Sequence, residues 1–127
     1  AKYFIPRLAG PTQSFPSPTQ VEQECWTTQY PTVALLPLMG LVNLVRRLNF
    51  QQIVQPLFMI VSPEDTIINA ERAQAIFPKF GAAVKNLLLV KETASPDKHV
   101  LVGDIRSPEN TPIIKQAILD FLETVPQ

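Results

Sequence analysis

Pro56-Leu57-Phe58-Met59-Ile60-Val61-Ser62-Pro63-Glu64-Asp65 is the stretch whose reading decides the fold. The apolar run is short, carries no polar residue on either face, and stops abruptly at Ser-Pro-Glu-Asp. A strand covered on both sides reads this way, and such strands belong to parallel sheets. Downstream, Asn69 is a good helix N-cap. Ala70, Ala73, Ile76, Phe77 and Phe80 then line one face of a short helix that Gly81 ends. A second buried-strand pattern follows at 86–90 (NLLLV), and a polar loop at 91–98 leads to His99. Thr111-Pro112 reads as a helix start, a cap followed by Pro. Ile114, Ala117, Ile118, Phe121, Leu122 and Val125 form the apolar stripe of that last helix, and Pro126 ends it.

Working upstream, residues 33–48 read as a helix that begins properly at Pro37. Leu38, Leu41, Val42, Val45 and Leu48 follow helical spacing, with Asn43, Arg46 and Arg47 opposite. The periodic stripe explains these leucines as an ordinary core face; a lid element gating an apolar substrate is the alternative. Residues 1–31 read as irregular, because Pro blocks long helices and central strands. Of the 13 Pro and 4 Gly, Pro6, Pro11, Pro16, Pro18, Pro31 and Pro37 crowd the first part of the chain. Tyr3, Phe4, Ile5, Phe15, Trp26 and Tyr30 are too many large apolar groups for a plain linker, so they are expected to pack. The composition shift divides the chain into a Pro-rich segment, 1–50, and an α/β part, 51–127.

Composition removes several classes of function. The chain has 127 residues, 11 Lys+Arg against 11 Asp+Glu, 46% hydrophobic and 17% charged residues. That balance suits a packed domain and argues against wholesale disorder. Zero net charge supplies no field to gather phosphates, so nucleic acid is not an expected partner. One Cys and one His allow neither an internal disulfide nor a Cys/His zinc site. No apolar stretch approaches the ~20 residues of a membrane span. No leader is visible after Lys2, which makes a cytoplasmic location the default expectation. No phosphate-cradling Gly loop calls for a nucleotide cofactor, and no cofactor is expected.

Alternating strands and helices imply βαβ units with helices on both faces of a parallel sheet. In such sheets chemistry collects at the carboxyl ends of strands. Asp65 lies just past one strand and His99 in the loop past the next, so one sheet edge presents both. A carboxylate that accepts the Nδ1–H of an imidazole fixes its tautomer, aims Nε2 at a nucleophile and stabilises the imidazolium that forms. Glu64 and Asp97 are the weaker alternatives for the acid. A surface-loop His99 and a turn-forming Asp65 are the plain readings of the same residues. Cys25 follows Glu-Gln-Glu, with no Gly and no buried strand before it. Neighbouring carboxylates disfavour its thiolate, so it reads as a free thiol.

The stretch 53–65, the strand at 85–90, His99 and the final helix together resemble the C-terminal half of the α/β-hydrolase fold in its esterase, lipase and thioesterase relatives. The shared pattern is Pro, apolar strand, small residue, two others, Asp, helix, strand, His, helix, and it covers about residues 50–127. The resemblance implies Asp65 as triad acid and His99 as triad base. It also implies a cap or lid for the Pro-rich segment and a modestly apolar ester or thioester as substrate. This chain departs from the pattern at Ser62, where Gly is usual, and at Ala94-Ser95-Pro96-Asp97-Lys98, where a Gly-rich turn is usual. The nucleophile elbow G-x-S-x-G is absent: none of Ser14, Ser17, Ser62, Ser95 and Ser107 lies between two glycines at i±2. In family order the nucleophile and the oxyanion-hole amides precede the acid and base, which places them upstream of residue 1. The N-terminal half of the same fold is then the expected partner. Two parallel strands alone leave two open edges, so self-association is expected of the isolated chain. A non-catalytic binding or assembly module built on the same fold is the rival reading.

Overall fold

The computed structural model describes residues 10–17 and 19–126. Tyr3, Phe4, Ile5, Pro6 and Pro18, named above, lie outside them. The chain forms two compact units, Ala1–Leu48 and Asn49–Gln127.

In the first unit the expected irregular segment contains short regular elements. Strand β1 (Thr12–Ser14) pairs antiparallel with β2 (Gln29–Pro31), and helix α1 (Gln20–Cys25) lies between them in sequence. Pro does not prevent this, because Pro31 sits at the end of a two-stranded ribbon, where a missing N–H costs little. Thr19 caps α1 through its side-chain oxygen, which accepts from Glu22 N–H at 3.2 Å. Phe15 stacks on Tyr30 with ring centroids 5.2 Å apart, so two of the expected aromatic anchors do pack. Helix α2 (Leu35–Val45) follows a single 3-10 turn, Thr32–Ala34. It starts before Pro37, which falls within its first turn and needs no N–H partner there. Arg46 and Arg47 lie beyond its end. The core role expected of its stripe is not met: no residue of α2 is buried, and Leu38, Leu41, Val42, Val45 and Leu48 are all exposed.

The second unit is mixed α/β around a small parallel sheet. Strand β3 (Leu57–Val61) pairs in parallel with β4 (Lys85–Leu89), Leu57 opposite Lys85 and Val61 opposite Leu89. Among the described residues neither strand has a second neighbour. Helix α3 (Ala70–Ile76) connects them, and Asn69 caps it as expected, its Oδ1 accepting from Arg72 N–H at 2.7 Å. The helix gives way to a 3-10 turn, Phe77–Lys79. Lys85 Nζ donates to the Pro78 and Phe80 carbonyls at 3.0 and 2.6 Å, tying that turn to the start of β4. Gly81 has a reason beyond stopping a helix. A Cβ there would lie 2.0 Å from the Gln51 carbonyl oxygen, and its N–H donates to Phe50 O at 3.1 Å.

Helix α4 (Asn110–Glu123) begins two residues earlier than the Thr-Pro signal suggests, with Glu109 at the cap position. Thr111 does not cap it. Its hydroxyl instead accepts from Gly103 N–H at 2.8 Å and donates to Ser107 O at 3.1 Å. Only part of the expected stripe is covered: Ile114 and Phe121 are buried, while Ile118 and Leu122 are exposed. Phe121 stacks on Phe58 of β3 with centroids 5.0 Å apart, which anchors α4 to the sheet. Among the described residues no helix is long and apolar enough to cross a membrane.

Candidate active site

Strand β3 delivers its chain into a tight turn. Ser62 is fully buried, its carbonyl accepts from Asp65 N–H at 3.3 Å, and its Oγ accepts from Glu64 N–H at 3.3 Å. A small side chain is needed at Ser62, where a larger one would find no room. The turn places Asp65 so that its Oδ1 accepts from the N–H groups of Ile67 at 2.8 Å and Ile68 at 3.0 Å. Its second oxygen, Oδ2, lies 2.8 Å from His99 Nδ1. The Asp65 side chain is 4% exposed and the imidazole 41%. The acid is therefore enclosed while the ring reaches solvent.

Of the three carboxylates considered for the acid, Asp65 is the one on the ring. Asp97 meets only the backbone N–H of His99, at 3.1 Å, and Glu64 makes no hydrogen bond to His99. Burial raises the Asp65 pKa, but the bonds from His99, Ile68 and Ile67 together with the charge of His99 outweigh it. The net shift is downward. An ionised carboxylate only accepts, so Nδ1 carries the proton of the neutral ring. Nε2 is left as the basic nitrogen, with no hydrogen-bond partner among the described residues.

The loop that carries His99 is built from buried hydroxyls, which composition alone does not reveal. Thr93, Ser95 and Ser107 are buried. Ser107 Oγ donates to Val100 O at 2.5 Å, Thr93 Oγ1 lies 2.7 Å from Ser107 Oγ, and Ser95 N–H donates to Thr93 Oγ1 at 3.2 Å. Ser95-Pro96-Asp97-Lys98 closes as a turn, Lys98 N–H donating to Ser95 O at 3.0 Å. Pro is favoured at the second position of such turns. Lys98, immediately before the imidazole residue, sits at φ 56°, a left-handed conformation that costs a non-Gly residue about 1–2 kcal/mol. Its Nζ donates to Thr93 O at 2.8 Å, which holds it there.

The serines of this unit are already engaged. Ser62, Ser95 and Ser107 bond to Glu64, Asp97 and Val100 respectively, and none bonds to His99. Cys25 is exposed and belongs to the first unit. Among the described residues no three His, Cys, Asp or Glu side chains cluster to hold a metal ion. An open groove between β4 and α4, lined by Phe58, Asn86, Leu88, Ala117 and Phe121, includes neither Asp65 nor His99. Searches of the chain against protein-family models, curated proteins and solved structures find no match.

Proposed function

We propose that this chain supplies the general base and the orienting acid of a serine hydrolase of the carboxylesterase, lipase or thioesterase class. The nucleophile and oxyanion donors would come from sequence N-terminal to residue 1. The observation that carries the reading is the 2.8 Å contact between His99 Nδ1 and Asp65 Oδ2, made by the loops that follow two adjacent parallel strands, with the imidazole 41% exposed. In the reaction Nε2 takes the proton of a serine hydroxyl as its oxygen attacks the ester or thioester carbonyl. Asp65 stabilises the imidazolium, and the same proton then passes to the departing alcohol or thiol. Water repeats the cycle on the acyl-enzyme and releases the acid. The turn-forming role of Asp65 accounts for its bonds from Ile67 and Ile68 but not for the one to His99, which favours the catalytic reading over the binding-module one.

The test is hydrolysis of p-nitrophenyl esters by the polypeptide expressed with its upstream coding sequence. His99→Ala should lower turnover by ~10⁴ or more, and Asp65→Asn by a comparable factor, because triad members act as a unit. The 127-residue chain by itself should be inactive. Near-normal hydrolysis by the His99→Ala protein would rule the role out.

A further inference from the structure

We propose that Asp97 is the positioning residue of this site, holding the Asp65 loop and the His99 loop in the one relative placement that lets the imidazole meet its acid. The proposal rests on the reading of Asp65 and His99 as a working pair. Asp97 lies in the His99 loop and is bonded to both loops at positions next to the chemistry. Its backbone carbonyl accepts from Thr66 N–H at 3.0 Å and from Thr66 Oγ1–H at 3.1 Å, directly after Asp65. Its carboxylate Oδ1 accepts from the N–H of His99 itself at 3.1 Å and from Ser95 Oγ–H at 2.5 Å. Its Oδ2 accepts from the Arg106 guanidinium at 3.0 Å. Five hydrogen bonds thus converge on one residue from four others.

The chemistry of these donors explains why a carboxylate stands there. Ser95 is fully buried, and its single hydroxyl proton is committed to Asp97 while its oxygen receives Val100 N–H at 3.4 Å. Arg106 is largely covered, and its bond to Asp97 sets a charge against a charge. An apolar residue at 97 would take the carboxylate acceptor away from the buried Ser95 hydroxyl and the His99 amide and remove the anion beside Arg106. Lys98 is locked at positive φ between the two bonded residues, so the direction of His99 follows from where Asp97 is held. The Ser95 bond, partly opposed by burial and aided by the His99 amide and the Arg106 charge, keeps the Asp97 carboxyl below the usual range.

His99 is the single histidine, so the imidazole ¹⁵N resonances of the chain labelled in histidine report this ring alone. They give the ratio of the Nδ1–H to the Nε2–H tautomer at a pH where the imidazole is neutral. The wild-type chain should show the Nδ1–H form. Asp97→Ala should lower the tautomer ratio about tenfold, the loss expected when a charge-assisted bond that aims the ring is removed. Asp97→Asn, which keeps an acceptor for Ser95 and His99, should restore most of it. Asp65→Asn, which turns an amide N–H toward Nδ1, should reverse the tautomer outright. If Asp65→Asn leaves the ring unchanged, the pair itself fails. If Asp65→Asn reverses it while Asp97→Ala does not alter it, the pair stands and the role of Asp97 is overturned. Should Asp97→Ala fail to fold by circular dichroism, Ser95→Ala and Arg106→Gln carry the test: a lower ratio in either supports the proposal, and an unchanged ratio in both overturns it.

Discussion

Replacing Phe121 by Ala should come close to unfolding the second unit, whereas the same change one residue later should go almost unnoticed. Phe121 is 9% exposed and stacks on Phe58 at 5.0 Å, while Leu122 is 56% exposed. Buried Phe→Ala changes cost about 3–5 kcal/mol, of which a stacked aromatic partner accounts for ~0.5–1.5. At ~0.05–0.15 kcal/mol per residue a unit of this length holds only about 4–12 kcal/mol, so the loss takes a large share. An exposed Leu→Ala change falls within about ±0.5 kcal/mol. Urea unfolding followed by far-UV circular dichroism reads the difference. Tryptophan fluorescence does not, because the one tryptophan, Trp26, lies in the first unit. With a slope of ~1.5 kcal/mol per molar, the midpoint of Phe121→Ala should fall by about 2–3 M. The effect reaches the site, since the start of α4 fastens the loop after His99: Thr111 holds Gly103, and Asn110 Nδ2 donates to Glu92 O at 2.8 Å. A Leu122→Ala cost equal to or above that of Phe121→Ala would refute the reasoning, because it would put the Leu122 side of the stripe, about 100° around the helix, in the core.

Acid should weaken the fold through two named carboxylates. Asp65 and Asp97 both have folded pKa values below their unfolded ones, so their contribution is complete above the unfolded value of ~3.9 and is lost as pH falls through the lower folded values. Melting temperature plotted against pH should drop below about pH 4, and less steeply in Asp65→Asn and Asp97→Asn; an acid limb identical in all three proteins sinks the assignment. Light scattering over a range of concentrations should show the isolated chain associating, because both outer edges of the β3–β4 pair are unpaired among the described residues and two-stranded sheets are marginal alone. A monomer at every concentration contradicts that expectation.

The amino-acid sequence by itself determined the β-α-β order of the second unit and the meeting of Asp65 with His99 at one edge. The reason is local and topological. Apolar runs as short as Leu57–Val61 and residues 87–90, bounded by Pro, Ser, Asn and Lys, can be covered strands, and parallel strands joined by a helix must end at the same rim. Only the tertiary structure decided which residues hold those two in register. The role of Asp97 depends on Thr66, Ser95, Arg106 and the His99 amide arriving together from separate parts of the chain, and no periodicity encodes that convergence. The same holds for burial. The stripes of α2 and α4 are both regular in sequence, yet α4 buries Ile114 and Phe121 while no residue of α2 is buried. An apolar stripe states what a helix can cover; whether a neighbour is present to cover it is a property of the assembled fold.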